Sequence, residues 1–201
     1  KTMIEMAALA NYLDFDIDID GMHGPNSTYD ELNSIFIPKT SGGILENTNV
    51  VDFAFGVAPG VFAIVYSEDD YVNYEMEYLK MGKGPYWTLY RPYHLTSLEI
   101  PRTIMKLMVE KETQLSAKKW NVEVVAHSKK DLEAGTNLGS IGGENIYGKA
   151  MRVENSKNLA PLGIAENNIV NSEVKKGEPI EIENIDITDN QLYKYWLSQN
   201  S

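Results

Sequence analysis

The chain contains no cysteine among its 201 residues. This excludes a disulfide framework, a thiolate nucleophile and a cysteine-ligated zinc or iron–sulfur site, and it is typical of proteins from a reducing compartment. No apolar run approaches the roughly 20 residues that are needed to span a bilayer, and the first residues do not resemble a signal peptide. We therefore expect a cytoplasmic protein without a membrane partner.

Basic residues are scarce. Lysine and arginine number 18 against 29 acidic residues, which gives a formal net charge of −11 at neutral pH. Such a balance argues against a nucleic-acid backbone as the partner. The hydrophobic fraction of 43% is that of a globular protein and excludes a wholly disordered chain.

Several catalytic and binding motifs are missing or incomplete. The sequence has neither the dinucleotide fingerprint G-x-G-x-x-G after a strand nor the nucleophile elbow G-x-S-x-G. The glycine-rich stretch 139–148 lacks a following helix signal, so we interpret its glycines as turn residues. Residues 16–21 (DIDIDG) begin a calcium-loop pattern, but its twelfth position is Ser27 and not a carboxylate. Alternating Ile17 and Ile19 favour a half-exposed strand or turn there, and an EF-hand is rejected.

The first 116 residues mix helix and strand patterns. An amphipathic helix opens the chain, and residues 60–66 and 87–90 are strand-like, with β-branched and aromatic side chains. Ser67 is the predicted N-cap of a helix that ends near Met81. A second helix is predicted from Pro101 to about residue 112, with Ile104, Leu107 and Met108 facing the core. This pattern predicts the α+β class.

From about residue 117 the pattern changes to short strands and turns. Residues 131–138 and 173–180 are similar and lie 42 positions apart; each has a glycine in a polar turn and an apolar residue three positions later. We predict a small β domain with weak internal duplication, closed by a helix over residues 189–199. The predicted domains are therefore 1–116 and 117–201.

Residues 66–95 are the richest in chemistry, because they hold seven of the 12 tyrosines together with several basic residues. At their centre, Arg91 offers a fixed fork of donors for a carboxylate or phosphate, and His94 exchanges protons near neutral pH. Nearby tyrosine hydroxyls suit a sugar-like ligand. The structural alternative is an Arg-to-acid pair, a capping histidine and packed tyrosines.

Blocks of sequence then suggest a family. Residues 79–86 (LKMGKGPY), 89–95 (LYRPYHL) and 98–101 (LEIP), the opening K-x-x-I-E-M-A, and short blocks in the tail such as 130–135 (KDLEAG) resemble homoserine-dehydrogenase-like oxidoreductases with a C-terminal SAF domain. The resemblance runs through nearly the whole chain. It departs from the expected pattern at residues 14–20 and 56–60.

The resemblance implies an organisation. Residues 1–116 would be the C-terminal part of an α+β catalytic and dimerisation region, and 117–201 a SAF-like β-clip with its helix. A preceding Rossmann domain, missing from this chain, would bind NADPH or NADH, and a divalent metal takes part in one branch, which resembles 1-deoxy-D-xylulose 5-phosphate reductoisomerase. The chain would then be the C-terminal piece of a longer protein, inactive alone and homodimeric.

The resemblance also implies site residues. Lys1 and His94 would be catalytic, and Arg91, Tyr90, Tyr93 and Lys80 would bind a small anionic carbonyl substrate. Two alternatives remain open. In the first, the chain is a sugar- or sugar-acid-binding and assembly module without redox chemistry; in the second, the SAF domain only packs the dimer.

Overall fold

The computed structural model describes residues 1–93, 95–113, 115–188 and 191–199. They form two compact units, His23–Ser116, and Lys1–Met22 with Ala117–Ser201. Helices and small antiparallel sheets occur together, which confirms the α+β class. Among the described helices, none combines the length and the apolar character that a membrane crossing needs.

The helices and strands are numbered in chain order. The α-helices are α1 Thr2–Leu13, α2 Leu32–Ile35, α3 Asp70–Tyr78, α4 Thr96–Met105, α5 Leu162–Ala165 and α6 Gln191–Gln199. The strands are β1 Asp16–Ile17, β2 Val50–Val51, β3 Val61–Tyr66, β4 Tyr86–Arg91, β5 Val122–Ser128, β6 Ile146–Arg152, β7 Ile169–Val170 and β8 Ile185–Asp186. Short 3-10 turns lie at Tyr29–Glu31, Lys39–Ser41, Val153–Asn155 and Ile182–Asn184, and a π-helix follows α4 at Lys106–Glu110.

The unit His23–Ser116 is built around the hairpin of β3 and β4. The strands are antiparallel, with Val61 opposite Arg91 and Tyr66 opposite Tyr86. Buried Leu32, Phe36 and Leu45 form the core beneath the hairpin; the following partly buried side chains pack on this core: Ile35, Ile44, Val50, Ala54, Val57, Phe62 and Ile64. This arrangement confirms the two strands that the β-branched and aromatic pattern predicted.

Helix α3 begins later than the sequence predicts. Its N-cap is Asp69, whose carboxylate accepts hydrogen bonds from the N–H groups of Tyr71 and Val72. Ser67 instead accepts a hydrogen bond from the Asp69 N–H. An aspartate cap is favoured because its carboxylate accepts hydrogen bonds from N–H groups that have no partner within the helix, and because its negative charge lies at the positive end of the helix dipole.

The predicted helix from Pro101 is wrong in its start and in its buried face. Helix α4 begins at Thr96, with Pro101 inside it. Ile104, Leu107 and Met108 are 50%, 54% and 66% exposed in place of facing a core. Periodicity identifies an apolar stripe on a helix, but it does not say what covers that stripe.

The second unit joins α1 to the C-terminal strands. Strands β5 and β6 pair antiparallel, with Val122 opposite Arg152 and Ser128 opposite Ile146. In this unit Ala7 and Ala10 of α1 are buried. The predicted division put residues 1–22 with the catalytic region, whereas the structure packs them with residues 117–201, because Asn11 is hydrogen-bonded to the start of β5.

The predicted duplication is present in the hydrogen bonds. Leu132 and Val174, which are 42 positions apart, exchange N–H···O=C bonds of 2.8 and 3.0 Å. Two further pairs of N–H···O=C bonds show the same offset. The bond from Gly135 to Val170 corresponds to the bond from Gly177 to Ser128. The bond from Leu138 to Asn168 corresponds to the bond from Ile180 to Ala126. In each pair, the donor of the second bond lies 42 positions after the donor of the first, and its acceptor lies 42 positions before the acceptor of the first. The tail is therefore built from two similar segments that pair with each other.

Left-handed turn glycines complete the two halves. Gly135 has φ +88° and Gly177 has φ +85°, a backbone region that residues with a Cβ rarely adopt. Because both glycines lie at the same point of the 42-residue offset, the two turns have the same geometry. The predicted glycine turns are confirmed.

Candidate functional site

Arg91 ends strand β4 at an exposed position. Its Nη2 donates to the Glu99 carboxylate at 2.6 Å, and its guanidinium lies 5.3 Å from the ring centre of Tyr93. Glu99 is in the first turn of α4, where a carboxylate is favoured by the helix dipole. The side chain of Arg91 is 45% exposed, so water screens the ion pair and it adds little to stability. Arg91, Tyr93 and Glu99 are called the Arg91 cluster below.

The geometry leaves the guanidinium available to an anion. Arginine has five N–H donors in a planar fork. Of the Arg91 nitrogens, only Nη2 donates to Glu99 among the described residues. The bond to Glu99 raises the pKa of Arg91 above its ordinary value, so the group is always charged. The Arg-to-acid pair that the structural alternative predicted is therefore present. Because the pair is exposed, a ligand that binds the guanidinium through two oxygens could displace Glu99.

Tyr90 is held by the loop that precedes β3. Its hydroxyl donates to the carbonyl of Val57 at 2.9 Å and lies 3.3 Å from that of Pro59. Its ring packs on Tyr29 with centroids 5.2 Å apart. Gly60 lies against this ring, since a Cβ there would come within 2.7 Å of it. The loop 56–60, where the sequence departs from the resembled family, therefore positions Tyr90.

The remaining predicted site residues are placed differently. His94 lies outside the described residues. Lys80 has φ +61° and follows α3, in the connection between β3 and β4 that leaves the hairpin at the Tyr66–Tyr86 end. Arg91 is at the opposite end of the hairpin, roughly 17 Å along the strand. Among the described residues, no hydrogen bond or ion pair joins Lys80 to Arg91.

Lys1 precedes α1 in the other unit. Its side chain is 88% exposed and lies 3.7 Å from Glu5. Its carbonyl accepts the N–H groups of Ile4 and Glu5, which starts the helix. The predicted catalytic role of Lys1 stays a prediction.

The acidic stretch 14–20 has an internal cation as its partner, which the sequence analysis did not identify. Arg152 Nε lies 3.3 Å from the Asp16 carboxylate, and its Nη2 donates to the carbonyls of Ile17 and Asp18. The Asp20 carboxylate accepts the Arg152 N–H at 3.0 Å. The chain turns after β1, so that Asp18 is buried and Ile19 is exposed. Four aspartates within residues 14–20, with no lysine or arginine near them in the sequence, indicated that a basic partner was needed. The sequence did not show which residue this partner is.

Neither a cluster of metal ligands nor a pyrophosphate loop is found in the part of the chain that the structure describes. Among residues 1–93, 95–113, 115–188 and 191–199, no three His, Asp or Glu side chains are grouped to hold a metal ion. The glycine-rich stretch 139–148 runs directly into β6 and not into a helix. Gly139, Gly142 and Gly143 are turn residues as predicted, whereas Gly148 lies within β6 opposite Ala126 and is not. A pyrophosphate needs a helix N-terminus at that point, so this stretch does not fit a dinucleotide.

Residues 1–100 match the family model described as Oxidoreductase DRL, catalytic domain. No curated protein matches the chain. The matched residues are similar to an oxidoreductase catalytic domain, and they include the Arg91 cluster, Tyr90, Lys80 and Lys1. The match does not extend over residues 101–201, so the SAF-like β-clip stays a prediction.

Proposed function

We propose that this chain is the catalytic and SAF-like portion of an NADPH- or NADH-dependent oxidoreductase, homoserine-dehydrogenase-like or reductoisomerase-like, that reduces the carbonyl of a small anionic substrate. The observation that carries the proposal is the match of residues 1–100 to an oxidoreductase catalytic domain, inside which the Arg91 cluster presents an exposed guanidinium. In this proposal Arg91 binds the phosphate or carboxylate of the substrate.

Substrate binding would exchange one anion for another. Glu99 is a single exposed carboxylate, whereas a phosphate or carboxylate ligand bonds the guanidinium fork through two parallel N–H···O contacts. Tyr93 lies beside the guanidinium and limits the directions from which the ligand approaches. Tyr90, fixed by two carbonyls, would form the adjacent wall.

The nicotinamide cofactor supplies the hydride in this class of reaction. The stretch 139–148 does not fit its pyrophosphate, and the described residues hold no group of three His, Asp or Glu side chains for a metal ion. The proposal therefore assigns cofactor binding to a separate domain and assigns to this chain the orientation of the substrate.

Substitution of Arg91 in the intact protein tests the proposal. With deoxyxylulose phosphate and aspartate semialdehyde as substrates and NADPH or NADH as reductant, Arg91→Ala should raise KM by about a hundredfold, because a charge-assisted bidentate contact is worth roughly 2–3 kcal/mol. Arg102→Ala, which removes an exposed arginine of α4, is the matched control and should leave KM unchanged.

The outcomes separate the two function classes. A raised KM with an unchanged unfolding transition supports the oxidoreductase proposal. Unchanged turnover in Arg91→Ala, together with loss of sugar-acid binding, would support the binding-module alternative instead. Glu99→Gln adds a second test, since removal of the competing carboxylate should lower KM if Arg91 binds the substrate anion.

We further propose that the protein is a homodimer in which a second copy covers the apolar residues of α3, α4 and the π-helix. The exposed apolar side chains of these helices include Tyr71, Tyr74, Tyr78, Leu98, Ile100, Met105 and Val109. Monomers rarely expose contiguous apolar areas beyond a few hundred Å². Ile104, Leu107 and Met108, which were expected to face a core, belong to the same exposed apolar set.

The mass of the protein in solution tests the dimer. Leu98→Glu places a charge on the apolar surface, where Leu98 is 75% exposed, and should convert the dimer to a monomer. Leu197→Glu, on the exposed side of α6, adds the same charge in the other unit and should leave the mass unchanged. A monomeric parent protein, or a dimer that persists in Leu98→Glu, would contradict the proposal.

A further inference from the structure

A cavity of about 440 Å³ lies in the unit formed by residues 1–22 and 117–201. Its walls are mainly aliphatic side chains of α1, β5, α5 and the 139–148 stretch, among them Ile4, Val124, Leu162 and Ile141. This volume lies in the range of small-molecule sites, which combine apolar walls with a few polar groups.

Glu123 is the ionisable side chain of this cavity. The lining contains no lysine, arginine or histidine to balance it. Asn11 also lines the cavity, but its amide is committed to hydrogen bonds with Asn121 and Val122. Ionised Glu123 would therefore give the cavity one negative charge without a cation in the lining.

The groups that stabilise this charge are neutral. The Glu123 carboxylate accepts the Val124 N–H at 2.8 Å, and the indole N–H groups of Trp196 and Trp120 also favour its charged form. Burial outweighs these contacts and raises the pKa of Glu123 above its ordinary value. Within the described lining, no side chain supplies the cation that would balance the carboxylate.

We propose that this cavity binds a small organic cation, a primary ammonium on an apolar body, with the ammonium on the Glu123 carboxylate. The aliphatic walls would take the apolar body, and the indole of Trp120, which also lines the cavity, would attract the positive charge through its ring. The net charge of −11 favours the approach of a cation. This site does not depend on the proposed oxidoreductase function.

A matched pair of probes tests the charge requirement. Cyclohexylmethylammonium and cyclohexylmethanol share their apolar body and differ in charge. Tryptophan fluorescence of the intact protein reports binding, because Trp120 lines the cavity. We expect saturable binding of the ammonium at neutral pH and at least about tenfold weaker binding of the alcohol, since a hydrogen bond to a charged group is worth roughly 1.5–3 kcal/mol.

A substitution assigns the contact to Glu123. Glu123→Gln keeps the side-chain shape and an acceptor for the Val124 N–H, and it should weaken ammonium binding about tenfold or more while leaving alcohol binding unchanged. Glu133→Gln removes an exposed carboxylate of the same unit and is the control. Thermal unfolding of both variants shows whether the unit is intact.

The pH dependence of the parent protein is an independent measurement. Affinity for the ammonium should rise as Glu123 ionises with increasing pH, and affinity for the alcohol should not. Equal affinity of the two probes, absence of saturable binding, or full ammonium binding in a folded Glu123→Gln variant would each overturn the proposal. If the variant does not fold, the probe pair and the pH profile of the parent decide the result.

Discussion

Replacement of Asn11 by alanine should destabilise the unit of residues 1–22 and 117–201 more than any exposed asparagine does. The Asn11 side chain accepts hydrogen bonds from the N–H groups of Asn121 and Val122, both at 2.9 Å, and donates to the Val122 carbonyl at 2.9 Å. Val122 is 1% exposed, so water cannot replace these contacts without a rearrangement. One side chain therefore fixes α1 to the first residues of β5.

The expected loss follows from three hydrogen bonds at about 1 kcal/mol each, so Asn11→Ala should lower the free energy of unfolding by about 3 kcal/mol. Urea unfolding followed by circular dichroism measures it. The control is Asn171→Ala, which removes an exposed bond to the Glu183 carbonyl and should cost less than about 1 kcal/mol. If the two variants unfold at the same urea concentration, Asn11 does not hold α1 as described.

Three further substitutions have defined outcomes. Burial lowers the pKa of His127. As pH falls below the ordinary histidine value of 6.5, the unfolded chain takes up a proton before the folded one, and the free energy of unfolding falls. His127→Gln should flatten that part of the stability–pH curve. Burial raises the pKa of Glu123, so Glu123→Gln should raise the melting temperature at pH 7, and this gain should vanish as pH falls toward the ordinary value of 4.5. Gly60→Ala should lower the free energy of unfolding by about 1–3 kcal/mol and displace the Tyr90 ring, because its Cβ would lie 2.7 Å from that ring. In the control Gly163→Ala the nearest neighbour of the Cβ is 3.8 Å away, so the free energy of unfolding should not fall.

Local patterns predicted the elements whose cause is local. The β-branched and aromatic runs of β3 and β4 are bounded by glycine and proline, and both strands are present. The 42-residue offset in the tail predicted two similar segments, because a glycine and an apolar residue repeat together; the pairing of the segments with each other was found only in the structure. These features are encoded within windows of about ten residues.

Contacts between distant residues were not predictable in this way. Asn11 and Val122 are 111 positions apart, and Arg152 lies more than 130 positions from the aspartates that surround it. A lone asparagine on an amphipathic helix, or a lone arginine at a strand end, has no signal of its own. Only the fold shows that Arg152 bonds to the acidic stretch.

The candidate site was predicted in part for the same reason. The sequence identified Arg91 and also an Arg-to-acid pair as its alternative, but not the acid. Because α4 starts at Thr96, five residues before the predicted start at Pro101, Glu99 lies in its first turn within reach of the guanidinium. A shift of one helix start therefore decided which residues form the Arg91 cluster.

Hydride transfer is the most direct measurement of the central proposal. The intact protein is supplied with NADPH or NADH carrying deuterium at the transferable position, and with a panel of phosphorylated or carboxylated carbonyl substrates. We predict that the deuterium appears on the reduced carbon of at least one product, and that Arg91→Ala slows its appearance at low substrate concentration. Binding of these anions without oxidation of either cofactor and without label in any product would contradict the assignment of an oxidoreductase.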